Sequence, residues 1–364
     1  MEPNNLTAIN SLKGYRALRY GKHLDLIITD QHSYRSADCF SDPSLEKLGG
    51  NEFIGMAPEP LMQILDGGRT FNGSNPPAEV TFGAAHVPNP QRSAPPQTIL
   101  GVEQKAWFKS KLERSTATWK IWGNSLGTLD SRADPQNLPA GLTKESWPAN
   151  TFASLGGGDY GTAYTERAEI YKLVRDAKIT GFAIVSGDRH SFWAGYATAE
   201  LPPGKFDPVG LSFVGGSLVS PGAMEAYEHR LPKDALLRPL FLADREGGAK
   251  PDWTYNMLLR HGVRACFEYA KSFDLKRARS LSNPDLSPHL EFVDLGGHGY
   301  AKVQLSAKEI RTEFVCIPRP IARSEREDGG PIRYRVLHTA ALWKYGERPQ
   351  LKASVLEGDV GLAI

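Results

Sequence analysis

The apolar positions of the chain fall into short blocks separated by longer amphipathic stretches. Leu24-Asp25-Leu26-Ile27-Ile28-Thr29-Asp30 is a brief apolar run that ends in a carboxylate. A run of this length reads as a strand buried on both faces of a parallel sheet. Gly101 to Thr116 carries Val102, Ala106, Trp107 and Leu112 above a charged face, and the spacing predicts a helix. It feeds Trp119-Lys120-Ile121-Trp122, which stops at Gly123-Asn124. The unit then recurs. Tyr164 to Lys178 places Ala168, Tyr171 and Val174, with Ile170, Leu173 and Ala177, on one apolar face, and it feeds Gly181 to Ser186, which stops at Gly187-Asp188-Arg189-His190. Helix followed by strand, twice over, predicts an α/β fold whose sheet is mainly parallel and carries helices.

Further along, Leu211 to Val214 and Leu290 to Asp294 read as strands, and Tyr300 to Phe314 alternates as a hairpin does. Residues 331–364 read as late strands and a tail. Residues 66–97 and 201–210 are rich in Gly, Pro and Asn and read as loops. The 36 glycines and 26 prolines among 364 residues suit such long, shaped connections.

Composition narrows the function. With 40% hydrophobic and 23% charged residues the chain can bury a core, which excludes wholesale disorder. Lys+Arg 43 against Asp+Glu 41 leaves +2, too little to draw the chain to nucleic acid or an anionic membrane. No apolar run approaches the roughly 18 residues of a membrane span. Met1 to Leu12 lacks the basic and apolar regions of a secretory signal. Cys39, Cys266 and Cys316 are too few and too scattered for a disulfide framework or a cysteine metal cluster.

Ligands of open α/β sheets sit beyond the carboxyl ends of the strands. The residues there are Asp30, Asn124, Asp188 and His190. Oxygen and imidazole donors together suit hard or borderline metal ions, and glycines before Asn124 and Asp188 allow sharp turns toward a metal or phosphate. The plainer reading makes Asp188 and Asn124 caps of the segments that follow and His190 a hydrogen-bonded core residue. A rival site overlaps this one. Gly123-Asn124-Ser125-Leu126-Gly127 matches the G-x-S-x-G elbow of serine esterases, with Asp188 and His298 in the right chain order for a triad. Against it, the elbow must lead into a helix, whereas Thr128 to Asn150 holds three prolines and no apolar period.

Taken in order, these motifs resemble one family. Val185-Ser186-Gly187-Asp188-Arg189-His190 resembles the S-G-D-x-H segment of the alkaline phosphatase D (PhoD-like) family of calcineurin-like metallophosphoesterases. Leu26 to Arg35 looks like its L-D-x-R-x-Y-R stretch, Trp119 to Asn124 like its W-x-x-x-G-N strand, and Gly297-His298-Gly299-Tyr300 like its H-G-Y turn. The likeness spans roughly residues 13 to 315. It implies a layered α-β-β-α sandwich, a phosphatase-type domain over 1–315 and a carboxyl-terminal tail over 316–364. It implies hydrolysis of phosphate monoesters and diesters by a metal-activated hydroxide, with calcium and iron as the metals. Asn124, Asp188 and His190 then become metal ligands, His190 also a catalytic group, and Arg35 and Arg189 binders of the substrate phosphate. Arg167, in a Y-x-x-R helix start, matches a structural arginine. His32 replaces the usual arginine, and Tyr160 the usual tryptophan.

One departure is larger. The family's first ligands lie upstream, on a G-D-x-x-Y strand end and a D-D-H-E turn, and nothing from Met1 to His23 matches them. Two-metal hydrolysis needs ligands on both sides of ions roughly 3.5–4 Å apart. The expectation is therefore a fragment lacking the amino-terminal strands, with half a metal site and weak activity of its own. Members of the family are often exported, but no compartment follows from these residues. A catalytically dead module that binds phosphate or a partner is the alternative from another class, and the serine esterase remains the other.

Overall fold

The computed structural model describes residues 12–48, 52–248, 250–319, 323–325, 327 and 330–363. The reading of Met1 to Ser11 therefore falls outside the described residues. Arg16–Tyr20 (β1), Leu24–Ile28 (β2), Trp119–Gly123 (β3), Phe182–Ser186 (β4), Phe192–Ala197 (β5), Gly210–Val214 (β6) and Leu290–Asp294 (β7) form one sheet in the order β1-β2-β3-β4-β6-β5-β7. Strands β2, β3, β4 and β6 are parallel, as the helix–strand alternation predicts. β1 pairs antiparallel with β2, and β5 antiparallel with β6 and β7. The result is a mixed α/β fold.

A second sheet is wholly antiparallel. His298–Leu305 (β8), Glu309–Ile317 (β9), Tyr334–Ala341 (β10) and Lys352–Gly358 (β11) follow one another in chain order. The hairpin expected over 300–314 is β8–β9. Position 315 falls inside β9, and the sheet continues into β10 and β11.

Side-chain alternation divides the core about the first sheet. Trp119, Ile121 and Ala183 point toward the second sheet and share a core with Phe314, Tyr334 and Val336. Trp122, Phe182 and Ile184 point the other way and pack with Phe108 and Leu112 of the Gly101–Arg114 helix and with Ile170, Tyr171 and Val174 of the Tyr164–Asp176 helix.

The two helices are tied at their ends. Leu100, at the N-cap of the Gly101–Arg114 helix, offers no side-chain acceptor. Thr98 takes that role, its Oγ1 accepting the Gly101 N–H at 3.0 Å, and Glu166 of the other helix holds the turn before it: its Oε1 accepts the N–H groups of Ile99 at 2.9 Å and Leu100 at 3.0 Å. Its other oxygen accepts the Thr98 hydroxyl.

Three expectations need correction. The Gly101–Arg114 helix buries Gln104, Phe108 and Leu112, whereas Val102 is 80% exposed. Gln104 is drawn inward because its amide bonds both N–H and C=O of Asp30, a tertiary demand that apolar periodicity does not register. Residues 66–97 are not one loop, since the Glu59–Gly67 helix ends there and Glu79–Phe82 pairs with Ala85–Pro88. Finally, β2 is buried only at Ile27. Leu24, Leu26 and Ile28 instead line an open cavity of about 820 Å³ between β2, β3 and β8.

Candidate active site

The loops after the parallel strands are held side by side because the ladder continues past the strand ends. Thr29 N–H donates to Gly123 O at 3.1 Å, Asn124 N–H to Val185 O at 2.9 Å, and Gly215 N–H to Ser186 O at 2.9 Å. Asn124 is buried. Its Oδ1 accepts the Leu126 N–H at 3.1 Å, while Nδ2 has no hydrogen-bond partner among the described residues. An unpaired buried amide costs about 1–3 kcal/mol, so it marks a place where a ligand oxygen would be welcome.

Asp188 and His190 both adopt left-handed backbone, with φ of 70° and 49°. Non-glycine residues resist that conformation, and such strain concentrates at functional loops. The residue between them explains how it is held. Arg189 points inward, donating from Nε to Asp159 Oδ2 at 2.8 Å and from Nη2 to Leu129 O at 2.6 Å, and its guanidinium lies 4.6 Å from the centre of the Trp193 ring. Pinning Arg189 leaves its two neighbours exposed to solvent. His190 Nδ1 lies 2.9 Å from Pro221 O. A carbonyl can only accept, so Nδ1 carries the proton and Nε2 keeps a free lone pair.

A second imidazole stands close by. His298 is 2% exposed, and neither ring nitrogen has a hydrogen-bond partner among the described residues. Burial, and next the charge of Arg319, hold its pKa below the ordinary value. Arg319 pairs through Nη2 with Glu225, leaving Nε and Nη1 unpaired and buried. Glu225 belongs to the Ala223–Arg230 helix and also accepts the Gly222 N–H at 2.9 Å. Sequence reasoning missed Gly222, Glu225 and Arg319, because no local motif announces a contact made between segments so far apart.

The other sequence candidates lie as follows. Asp30 caps its own turn, accepting His32 N–H at 2.9 Å and Ser33 N–H at 3.0 Å. Partial burial raises its pKa, but the hydrogen bonds from Ser33 and His32 outweigh this and leave it lowered. Arg35 reaches toward Gly158, in the loop that carries Asp159. Arg167 is buried against Asp130 at 2.7 Å and bonds Tyr160 O at 2.9 Å, in keeping with a structural part. Ser125 does not stand at an elbow: no helix follows it, and its hydroxyl donates to Gln31 Oε1 at 2.6 Å rather than to an imidazole.

Among the described residues no group of three or more His, Cys, Asp or Glu side chains is placed to hold a metal ion. Nor is any described helix long and apolar enough to cross a membrane.

The fold is that of an α/β protein with an unpaired buried amide at Asn124, at a strand end, and an unpaired imidazole and guanidinium beside Gly222. The model described as PhoD-like phosphatase matches residues 2–255, and the chain belongs to that family. The chain is 24% identical over 153 residues to alkaline phosphatase D of Bacillus subtilis (strain 168), a match covering 42% of this chain and 23% of that protein. A solved structure of PhoD superposes with a TM-score of 0.48 at 14% identity, covering 96% of this chain and 45% of that one. The chain thus spans less than half the length of either relative.

Proposed function

We propose that the chain acts on phosphate esters at the carboxyl ends of β2, β3 and β4, and that it holds one side of the reaction site. Asn124 Nδ2, Arg319 and His298 gather the non-bridging oxygens, and His190 Nε2 accepts or returns a proton beside them. The observation that supports this reading is the set of buried donors without partners at Asn124 and Arg319, beside a strained loop that presents Asp188 and His190. In water such donors cost free energy, whereas a phosphoryl group with developing charge rewards them. Arg189 fixes the loop, and Arg35 approaches from the loop after β2.

The resemblance adds metal-dependent chemistry with Asn124, Asp188 and His190 as ligands. Those three leave the set incomplete, so hydrolysis at full rate needs ligands beyond the described residues. In this reading the two-sheet architecture is a metallophosphoesterase sandwich short of its amino-terminal strands, and residues 1–364 alone turn over slowly.

The test is turnover of p-nitrophenyl phosphate and bis-p-nitrophenyl phosphate by purified residues 1–364, with and without calcium and iron, beside calorimetric binding of inorganic phosphate. Phosphate binding that Asn124→Ala abolishes, with slow turnover, is the expected result. Rapid metal-dependent turnover would overturn the half-site. Phosphate binding with neither metal uptake nor any turnover supports the second reading, a binding module.

A further inference from the structure

A second cavity, of about 520 Å³, shares no lining residue with the strand-end site. It opens where the first turns of the Glu59–Gly67 and Tyr164–Asp176 helices face the turn at 199–204. Two ion pairs stand in its wall. Arg132 Nη2 donates to Glu59 Oε2 at 2.7 Å, and Arg167 Nη2 donates to Asp130 Oδ1 at 2.7 Å. Both arginine side chains are only 2% exposed.

Each pair is made at one corner only. A guanidinium can serve a carboxylate with two parallel N–H groups. Here Nε of both arginines is buried without a partner among the described residues. No described donor reaches Glu59 Oε1 or Asp130 Oδ2, the second oxygens of the same carboxylates. Burial raises the Glu59 pKa and Arg132 only partly offsets it, as befits a carboxylate short of donors. Each pair thus leaves one donor and one acceptor at the cavity wall.

That combination selects the occupant. An anion would meet Glu59, Asp130 and Glu200, and the helix starts offer it little. Glu59 N–H is taken by Phe152 O at 2.9 Å, and Thr165 N–H by Asp66 Oδ2 at 2.7 Å. A cation would meet two guanidinium groups, and an apolar ligand would leave the polar atoms unpaired. A hydroxyl both accepts and donates, so one hydroxyl satisfies each pair. The rest of the wall suits the carbon skeleton of a sugar. Phe71 and Tyr164 are half-buried aromatic rings, and the exposed amides of Gln63 and Asn150 stand at the rim. We propose that this cavity binds a neutral sugar, whose hydroxyls accept from Arg132 Nε and Arg167 Nε and donate to Glu59 and Asp130. The proposal does not rest on the phosphoester reading.

The test is an amide NMR titration of residues 1–364 with glucose and with maltose. Glucuronate, inorganic phosphate and, at mildly acid pH, glucosamine serve as charged probes. The neutral sugars are expected to bind at millimolar concentration and to shift the amides of Thr151, Glu200 and Gly204, which line the cavity. The charged probes should bind there about fivefold more weakly or worse. Gln63→Ala and Phe71→Ala change an exposed and a half-buried side chain, so the fold survives them. Each should weaken maltose binding about fivefold. Arg132→Lys keeps a charge against Glu59 but removes Nε, and should weaken it about tenfold; if that variant unfolds, the other two still decide. No shifts at tens of millimolar sugar overturn the proposal. So do shifts that survive both Gln63→Ala and Phe71→Ala, or tighter binding of a charged probe at these amides. None of these readouts involves phosphate hydrolysis, so failure of the phosphoester reading leaves them intact.

Discussion

Arg319 and His298 meet over Gly222: a β-carbon built there would stand 2.9 Å from Arg319 Nη1 and 3.3 Å from His298 Nε2. Glycine at this position leaves room for a ligand atom between a guanidinium and an imidazole. Gly222 has ordinary extended backbone, so Gly222→Ala fills the gap without straining the chain. Calorimetry should show weaker phosphate binding with the thermal midpoint little changed. Arg319→Ala should weaken it further, because hydrogen bonds to charged groups contribute about 1.5–3 kcal/mol, or roughly ten- to a hundredfold in affinity. If both variants bind phosphate as the parent does, this pair has no part in anion recognition.

His190 and Ser125 separate the phosphoester reading from the serine esterase. His190→Ala removes the free Nε2 and should reduce phosphoester turnover by about 10²–10⁴-fold, the range of a lost acid or base. Ser125→Ala removes only the hydrogen bond to Gln31 and should leave turnover near the parent value. Covalent labelling of Ser125 by a fluorophosphonate would contradict this assignment.

Arg167 and Asp130 are almost wholly buried, and their side chains meet at 2.7 Å. Removing one partner strands the other charge, at about 3–5 kcal/mol. Urea unfolding of Asp130→Asn should show a loss of that order, and Arg167→Met a comparable one. A change below about 1 kcal/mol would mean that water reaches the pair.

Two buried imidazoles work against the fold in acid. His338 sits among Phe213, Phe292 and Phe314, and His289 donates from Nε2 to Asp130 O at 3.0 Å. Burial pushes both down to about 4 from an ordinary 6.5. Between those values the unfolded chain holds more protons than the folded one, so stability falls as pH drops from 6.5 toward 4. Each imidazole contributes a slope of at most about 1.4 kcal/mol per pH unit. Asp66 acts in the opposite sense, because burial raises it from 3.8 to about 6 and its neutral form favours the fold in that window. Burial raises Glu59 and Asp134 in the same sense as Asp66, so the histidine contribution is read as the difference between two proteins. As pH drops across this range the unfolding midpoint of His338→Phe should lose less, or gain more, than that of the parent; an unchanged slope would show that His338 is protonated in place.

The strands and their parallel order were legible because period and length are local properties. Trp119, Ile121 and Trp122 alternate between two faces and do so in the fold. The strand-end asparagine and the Gly187–His190 loop were legible as motifs, and family membership followed from them. What escaped was whatever depends on distant partners. Val102 lost its place in the core to Gln104, which answers to Asp30. Arg319 and Glu225 joined the site across 94 positions of chain, with only a pair of opposite charges to signal it. Leu24, Leu26 and Ile28 read as buried because apolarity reports a preference for burial, not whether a neighbour is there to satisfy it.

Glu166 has one more consequence. Thr98 Oγ1 caps the Gly101–Arg114 helix by accepting the Gly101 N–H at 3.0 Å, but the carboxylate that receives the Thr98 hydroxyl and the Ile99 and Leu100 N–H groups sits on the Tyr164–Asp176 helix, which is made later on the ribosome. The cap of the earlier helix is therefore held in place by the later one, and the two should order and fray together as one cooperative unit on their face of the sheet.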